Sequence, residues 1–210
     1  MISIYTGFIR TTTIFRQRAG LIFAGQAEYS EWQYKYLSMA LLSQVWLKWS
    51  SFCRDVIISS CAGTTRRSGA LVTSRGMENS WQRIAYEINK RNQTTRPIGN
   101  RIHFKRHEPT WGDVVVLLQA LPILSPSNVN ELITGFGMPF NGPKHIQCVR
   151  NSCYHTNDET VNAVRNIMHY YTGTRMQHPI DLIWWNDNTG VNAIYSWLDE
   201  LEEISDIVTR

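Results

Sequence analysis

The sequence predicts an all-α protein on three observations. Apolar residues recur at three- and four-residue steps over long stretches, which is the period of an amphipathic helix. Alternation of apolar and polar residues, the mark of half-buried strands, is scarce. The connections between the periodic stretches are short enough for a helical bundle.

Composition narrows the class of protein further. The chain has 210 residues, 43% of them hydrophobic, and eight tryptophans, which can supply a sizeable core. Charged residues make up 18%, below the usual share of about 25%, which argues against a disordered chain. The net charge of +4 tolerates a polyanionic partner without requiring one.

The length and the hydropathy pattern bear on organisation and location. One helical domain is expected over residues 28–210, preceded by an N-terminal arm or helix at residues 1–27. No run of roughly 18 uncharged apolar residues occurs, so neither a transmembrane helix nor a membrane partner is expected. Four cysteines without a secretion signal indicate reduced, mostly buried thiols and a cytoplasmic location.

The longest predicted helix runs from residue 28 to about residue 60, either unbroken or broken near Ser50. Aromatic side chains dominate its apolar stripe, and we expect that stripe to pack in the core. The stripe consists of Trp32, Tyr36, Met39, Leu42, Val45, Trp46, Trp49, Phe52, Cys53 and Val56.

A loop and then a short helix are predicted after this long helix. Small and polar residues with three arginines predict a loop over 62–79. Asn79 or Ser80 is the expected cap of a helix that begins near Trp81.

Two further helices are predicted in the middle of the chain. Thr110 followed three positions later by Asp113 resembles a capping pattern for a helix through Leu121, closed by Pro122. A short helix is expected over 129–134, ended by glycine.

The last third of the chain carries the clearest helical patterns. Helices are predicted at 143–154 and 158–171, with Asn157 as cap of the second. The apolar segment 179–186 fits a strand or a turn of helix equally well. A C-terminal amphipathic helix over 194–207 completes the fold.

The strongest chemical candidate is the run from Arg150 to His155. On a helix, Asn151 and His155 share a face, whereas Arg150 lies about 140° away from His155 around the axis. Imidazole can exchange a proton near neutral pH, and a guanidinium can bind a phosphate through two hydrogen bonds. These residue types suit phosphodiester chemistry, although a solvated arginine and a helix-terminal histidine have the same spacing.

Arg150-Asn151, followed by His155 after three residues, resembles the Rx4–6H signature of HEPN-domain ribonucleases, which are helical bundles. The resemblance would cover roughly residues 30–205, although Cys153-Tyr154 stands where a small residue is frequent. It implies a metal-independent RNA endonuclease that needs no cofactor and acts as a toxin or effector in prokaryotic defence. A homodimer with a composite site is also implied, and a neutralising antitoxin or regulatory protein is a further expected partner.

Under this resemblance His155 acts as general base or acid, Arg150 stabilises the phosphorane, and Asn151 positions the substrate or the histidine. A basic segment at 90–107 would bind the RNA backbone. Its cations are Lys90, Arg91, Arg96, Arg101, Lys105 and Arg106.

Two alternatives stand beside this hypothesis. A non-catalytic helical module could bind RNA or protein through the same surface. A zinc-dependent binding protein would use His145, Cys148, Cys153 and His155, whose spacing is not a standard one for zinc. A second arginine–asparagine–histidine run, Arg165 to His169, lies beside an apolar stripe and is interpreted as an exposed helix face.

Overall fold

The computed structural model describes residues 1–76, 79–90, 108–173 and 175–210. Helix accounts for 69% of the structure and strand for 4%, which confirms the all-α prediction. The α-helices within these ranges are α1 (Ile2–Ala24), α2 (Glu31–Ala62), α3 (Trp81–Asn89), α4 (Val114–Leu124), α5 (Val129–Phe136), α6 (Gly142–Tyr154), α7 (Asp158–Ile167) and α8 (Ala193–Thr209).

The chain forms two compact units, each assembled from separated stretches. The first unit comprises Met1–Gly7, Ser50–Pro139 and Ile204–Arg210. The second comprises Phe8–Trp49 and Phe140–Glu203. Helices α1, α2 and α8 therefore contribute residues to both units.

In the first unit, the later half of α2 and helices α3 to α5 enclose an apolar core. Its members are fully or almost fully buried and are mostly aliphatic, with two large aromatic residues. They include Phe52, Val56, Ile57, Ile84, Ile88, Leu117, Leu121, Leu124, Leu132 and Phe136. Helix α5 lies so close to α8 that a Cβ on Gly135 would meet the side chain of Val208, which would have to move to accept a larger residue there.

In the second unit, α1, the first half of α2, α6, α7 and α8 supply the core. Phe8 and Trp49 contact each other with ring centroids 6.0 Å apart. The other buried members include Phe15, Leu42, Val45, Ile146, Val149, Val164, Ile183, Ile194, Trp197 and Leu201.

Helix α2 is one unbroken helix of 32 residues, with no interruption at Ser50. The predicted core stripe is confirmed for Trp46, Trp49 and their buried neighbours. It is wrong for Trp32 and Tyr36, whose side chains are 70% and 59% exposed. These two rings lie one helical turn apart and stack on each other instead, with centroids 5.4 Å apart.

The segment 62–79, predicted as a loop, contains a short antiparallel hairpin. Strands β1 (Thr64–Thr65) and β2 (Leu71–Val72) pair Thr64 with Val72. Glycines at φ values near +90° flank the strands, and the side chain of Val72 is buried. Two-residue strands are too short to show a period of two, so the pattern could not reveal them.

Three boundaries of the central helices differ from the prediction. Asp113, not Thr110, caps α4, because its carboxylate accepts hydrogen bonds from the N–H groups of Val115 and Val116. Helix α4 also continues past Pro122 to Leu124, and its cap Ser125 adopts a left-handed conformation with φ of 45°. Helix α5 extends two residues beyond the predicted end.

The predictions for the C-terminal part of the chain agree better with the structure. Asn157 caps α7 in a reciprocal capping box with Thr160, as its position predicts. Helix α7 ends at Ile167, and a 3₁₀ helix covers Met168–Tyr170. The undecided apolar segment forms a second 3₁₀ helix, Pro179–Trp184.

Candidate functional site

Helix α6 carries the Arg150–His155 run and is anchored at both ends. At its start, Gly142 lies against the backbone of Trp197, and the Glu200 carboxylate accepts the Gly142 N–H. A negative charge at a helix N-terminus is favourable, although burial raises the pKa of Glu200. Buried Ile146 and Val149 fix the face that α6 turns to the core. The motif residues therefore stand on a fixed helix.

Arg150 contacts both Asn151 and Tyr154 on α6. Nη1 of Arg150 donates a hydrogen bond of 3.0 Å to Oδ1 of Asn151. The guanidinium carbon lies 5.4 Å from the centre of the Tyr154 ring. Ser43 on α2 donates a 2.9 Å hydrogen bond to the Tyr154 hydroxyl. Arg150 and Asn151 are half-buried in this arrangement.

His155 is the C-terminal cap of α6, with an exposed side chain and a backbone held from two sides. Its N–H donates to the Asn151 carbonyl at 2.8 Å. Its carbonyl accepts the Thr160 hydroxyl at 2.6 Å, which ties it to the first turn of α7. The imidazole is therefore presented to solvent from a well-defined backbone.

The charge of Arg150 is not compensated by any carboxylate in the described ranges. Seven arginines form ion pairs there: 16, 54, 66, 67, 75, 83 and 210. Among the described arginines that form none, Arg150 is half-buried, whereas Arg10, Arg18, Arg165 and Arg175 are exposed. The Nε atom of Arg150 is buried and makes no hydrogen bond within the described part of the chain. A half-buried guanidinium without a counter-ion favours an anionic ligand such as a phosphate.

The alternative zinc ligands are not brought together. Nδ1 of His145 lies 2.5 Å from the Tyr171 hydroxyl, inside the core, whereas His155 is exposed. Burial and the charge of Asp181 raise the pKa of Cys153 to about 12, so its thiol stays protonated at neutral pH. Within the described residues no group of three or more histidine, cysteine or acidic side chains could hold a metal ion.

The four cysteines are free, as predicted for reduced thiols. Cys53 and Cys61 are buried, and burial raises the pKa of both thiols. Cys148 and Cys153 are half-buried rather than fully buried.

Most of the predicted basic RNA-binding segment falls outside the described residues: Arg91, Arg96, Arg101, Lys105 and Arg106. Lys90 is described at the end of α3, where its ammonium lies 4.6 Å from the centre of the Tyr86 ring. Lys90 belongs to the first unit, and the Arg150–His155 run belongs to the second.

The second arginine–asparagine–histidine run differs from the first in its surroundings. Arg165 and His169 are exposed, as expected for an outer helix face. Arg165 bonds to Asn162 at 3.0 Å, and the His169 ring lies 4.1 Å from the centre of the Tyr170 ring. Neither contact joins Arg165 to His169.

Three side chains at the site were not singled out from the sequence. Tyr154 lies inside the Arg150–His155 run and Thr160 shortly after it, and this closeness in sequence was the available signal. Ser43 lies 111 residues before Tyr154, and no local pattern marks it.

Comparison of the chain with family models, curated proteins and solved structures finds no match. The resemblance to HEPN ribonucleases therefore rests on the motif alone. No helix within the described ranges has the length and apolar character needed to span a membrane.

Proposed function

We propose that this protein is a metal-independent RNA endonuclease of HEPN type, acting as a cytoplasmic toxin or effector of prokaryotic defence. One observation carries the proposal: a half-buried arginine, which has no carboxylate partner among the described residues, lies five residues before an exposed histidine at the end of the same helix. An uncompensated guanidinium binds a phosphate, and a neighbouring imidazole can move the protons that transesterification requires.

In the proposed reaction the ribose 2′-hydroxyl loses its proton to a general base, and its oxygen attacks the adjacent phosphorus. The bond from phosphorus to the 5′-oxygen breaks, and that oxygen takes a proton. The products are a 2′,3′-cyclic phosphate and a 5′-hydroxyl. His155 serves as base or acid, and Arg150 stabilises the negative charge of the phosphorane.

Asn151 has a positioning role in this proposal. Its Oδ1 accepts from Arg150, and its backbone carbonyl accepts from the N–H of His155. Asn151 thus bonds to the guanidinium of Arg150 and to the backbone of His155. A second copy of the chain would complete the site as a homodimer, and an antitoxin or regulatory protein would control it.

The proposal is tested by incubating the full chain with single-stranded RNA in excess EDTA and analysing the product ends. We expect cleavage with 2′,3′-cyclic phosphate termini. His155→Ala and Arg150→Ala should each lower kcat/KM by about 10²–10⁴-fold. Cleavage that stops on chelation would point to a metal-dependent reaction instead.

Matched controls come from the second run. Arg165→Ala and His169→Ala remove the same side-chain types from exposed positions of α7 and the following 3₁₀ helix. We expect both to cleave at the wild-type rate. Equal losses in both pairs of variants would remove Arg150 and His155 from the mechanism.

The composite site has a separate test. Mixing inactive Arg150→Ala and His155→Ala chains should restore part of the activity if arginine and histidine from different chains meet. Light scattering at micromolar concentration should show a dimer. A monomer that cleaves RNA at full rate would refute the shared site.

A further inference from the structure

We propose that Tyr154 is a positioning residue that holds the Arg150 guanidinium in place, and that Ser43 in turn holds Tyr154. The catalytic readout of this inference rests on the proposed ribonuclease function. The geometric claim does not, because it concerns contacts within one unit of the chain.

The contact between Arg150 and Tyr154 has the geometry of a cation–π interaction. The guanidinium carbon lies 5.4 Å from the ring centre, inside the range of about 6 Å over which such contacts are attractive. The two residues are four apart on α6, so they share a helix face. Nη1 of Arg150 is held separately by Asn151. Ring and amide together restrict a long side chain that would otherwise sample many rotamers.

Tyr154 needs support of its own, because it is the last residue of α6 and its side chain is 49% exposed. Helix ends fray, and an exposed tyrosine there would move between rotamers. The hydrogen bond from Ser43 supplies the support from another helix. Ser43 lies between buried Leu42 and Val45, within the interior of α2, so its position is firm.

The Tyr154 hydroxyl thus couples α2 to the motif. The chain of contacts runs from Ser43 to Tyr154 to Arg150 to Asn151. It accounts for a tyrosine next to His155 without giving that tyrosine a chemical step. Removing the Tyr154 ring should release the Arg150 guanidinium from its position. Removing only the Tyr154 hydroxyl should make the ring more mobile, and the guanidinium less firmly held.

The test compares Tyr154→Ala, Tyr154→Phe and Ser43→Ala with the wild type, using Tyr36→Ala as the control at another exposed tyrosine. The first readout is the rate at which phenylglyoxal modifies Arg150, measured by peptide mass spectrometry. Tyr154→Ala should raise that rate by about tenfold, the size of a partly buried cation–π contact. Tyr154→Phe and Ser43→Ala should raise it by a smaller, equal factor. The double variant should add nothing, because both remove the same hydrogen bond.

The second readout is steady-state cleavage of RNA. A misplaced Arg150 should lower kcat by on the order of 10²-fold in Tyr154→Ala, with little change in KM. An Arg150 modification rate unchanged by Tyr154→Ala would overturn the inference. So would a raised KM at constant kcat, which would mean that Tyr154 contacts RNA itself. If the wild type cleaves no RNA, the proposed function fails, while the modification rates still decide the positioning role. Circular dichroism confirms that each variant is folded.

Discussion

Nδ1 of His145 lies 2.5 Å from the hydroxyl of Tyr171, and that hydroxyl also accepts the indole N–H of Trp197 at 2.7 Å. Because the Tyr171 hydroxyl accepts the hydrogen bond from Trp197, it can donate its own hydrogen bond to His145. This donation requires that Nδ1 of His145 carries no proton. His145 is 1% exposed and touches three aromatic rings. The core of the second unit is therefore built around an uncharged histidine.

This arrangement predicts a loss of stability in mild acid. Burial, followed by the charges of Lys144 and His169, lowers the pKa of His145 from 6.5 to about 4. The unfolded chain therefore binds a proton at this residue between pH 6.5 and 4 that the folded chain does not bind. The free energy of unfolding should fall by roughly 3 kcal/mol across that window, since one pKa unit corresponds to about 1.36 kcal/mol.

Urea unfolding at pH 7, 5.5 and 4.5 measures this dependence, and His145→Gln is the comparison. The variant should show a shallower dependence on pH, whatever its stability at pH 7. Glu200, which faces Gly142 in the same unit, has a raised pKa and contributes in the opposite direction. A pH dependence equal in variant and wild type would show that His145 is not the responsible group.

Arg75 and Glu87 form the most buried ion pair in the described ranges, with side chains 3% and 11% exposed. Two hydrogen bonds, of 2.7 and 3.3 Å, join the guanidinium to the carboxylate. Glu87→Gln leaves a buried guanidinium without its counter-ion, so we expect a loss of about 3–5 kcal/mol in urea unfolding. Glu131→Gln is the control, because Glu131 is 42% exposed in its pair with Arg66 and should cost less than about 1 kcal/mol. Similar losses in both variants would contradict the argument from burial.

The Thr160 hydroxyl connects the end of α6 to the start of α7, and we call this connection the joint between the two helices. It donates to the His155 carbonyl at 2.6 Å and accepts the Asn157 N–H in the capping box. Thr160→Val keeps the shape and removes both bonds, and should lower stability by about 1–2 kcal/mol. Thr134→Val removes only an exposed hydroxyl that bonds to its own helix, and should stay within about 0.5 kcal/mol of the wild type. Thermal unfolding monitored by circular dichroism compares the two, and equal melting temperatures would refute the role of the joint.

Gly142 and Gly7 give opposite predictions for the same substitution. A Cβ on Gly142 would lie 2.7 Å from Oε2 of Glu200 and 3.1 Å from Cα of Trp197, so Gly142→Ala forces α6 away from α8. We expect a loss of about 1–3 kcal/mol. A Cβ on Gly7 meets nothing within 4 Å inside α1, so Gly7→Ala should add about 0.5–1 kcal/mol. A Gly142→Ala variant as stable as the wild type would mean that the close approach is not required.

Local patterns predicted the elements whose causes are local. The apolar period of α8 and the cap at Asn157 depend on residues within a few positions of one another, and both predictions are confirmed. The exposure of Trp32 and Tyr36 was missed because the period shows which side chains share a face and not what that face meets. The cap of α4 was misplaced because Thr110 and Asp113 both have oxygens that can accept a backbone N–H.

In the candidate site, too, some features could be predicted from the sequence and others could not. The chain order of Arg150, Asn151 and His155 and their placement at the end of a helix follow from the sequence. Whether the arginine is neutralised does not follow, because its partner could come from any part of the chain. Arg66, Arg67 and Arg75, predicted as part of a loop, are all paired with distant carboxylates.

By itself, then, the sequence determined the helical class, the start of most helices and the residue types that could perform phosphodiester chemistry. Tertiary structure alone decided that Arg150 has no carboxylate partner among the described residues and that Ser43 holds the Tyr154 ring from 111 residues away. Helix formation depends on backbone bonds between residues four apart, which a short window of sequence contains. The pairing of side chains depends on which helix faces meet, and that is settled only when the core of each unit is packed.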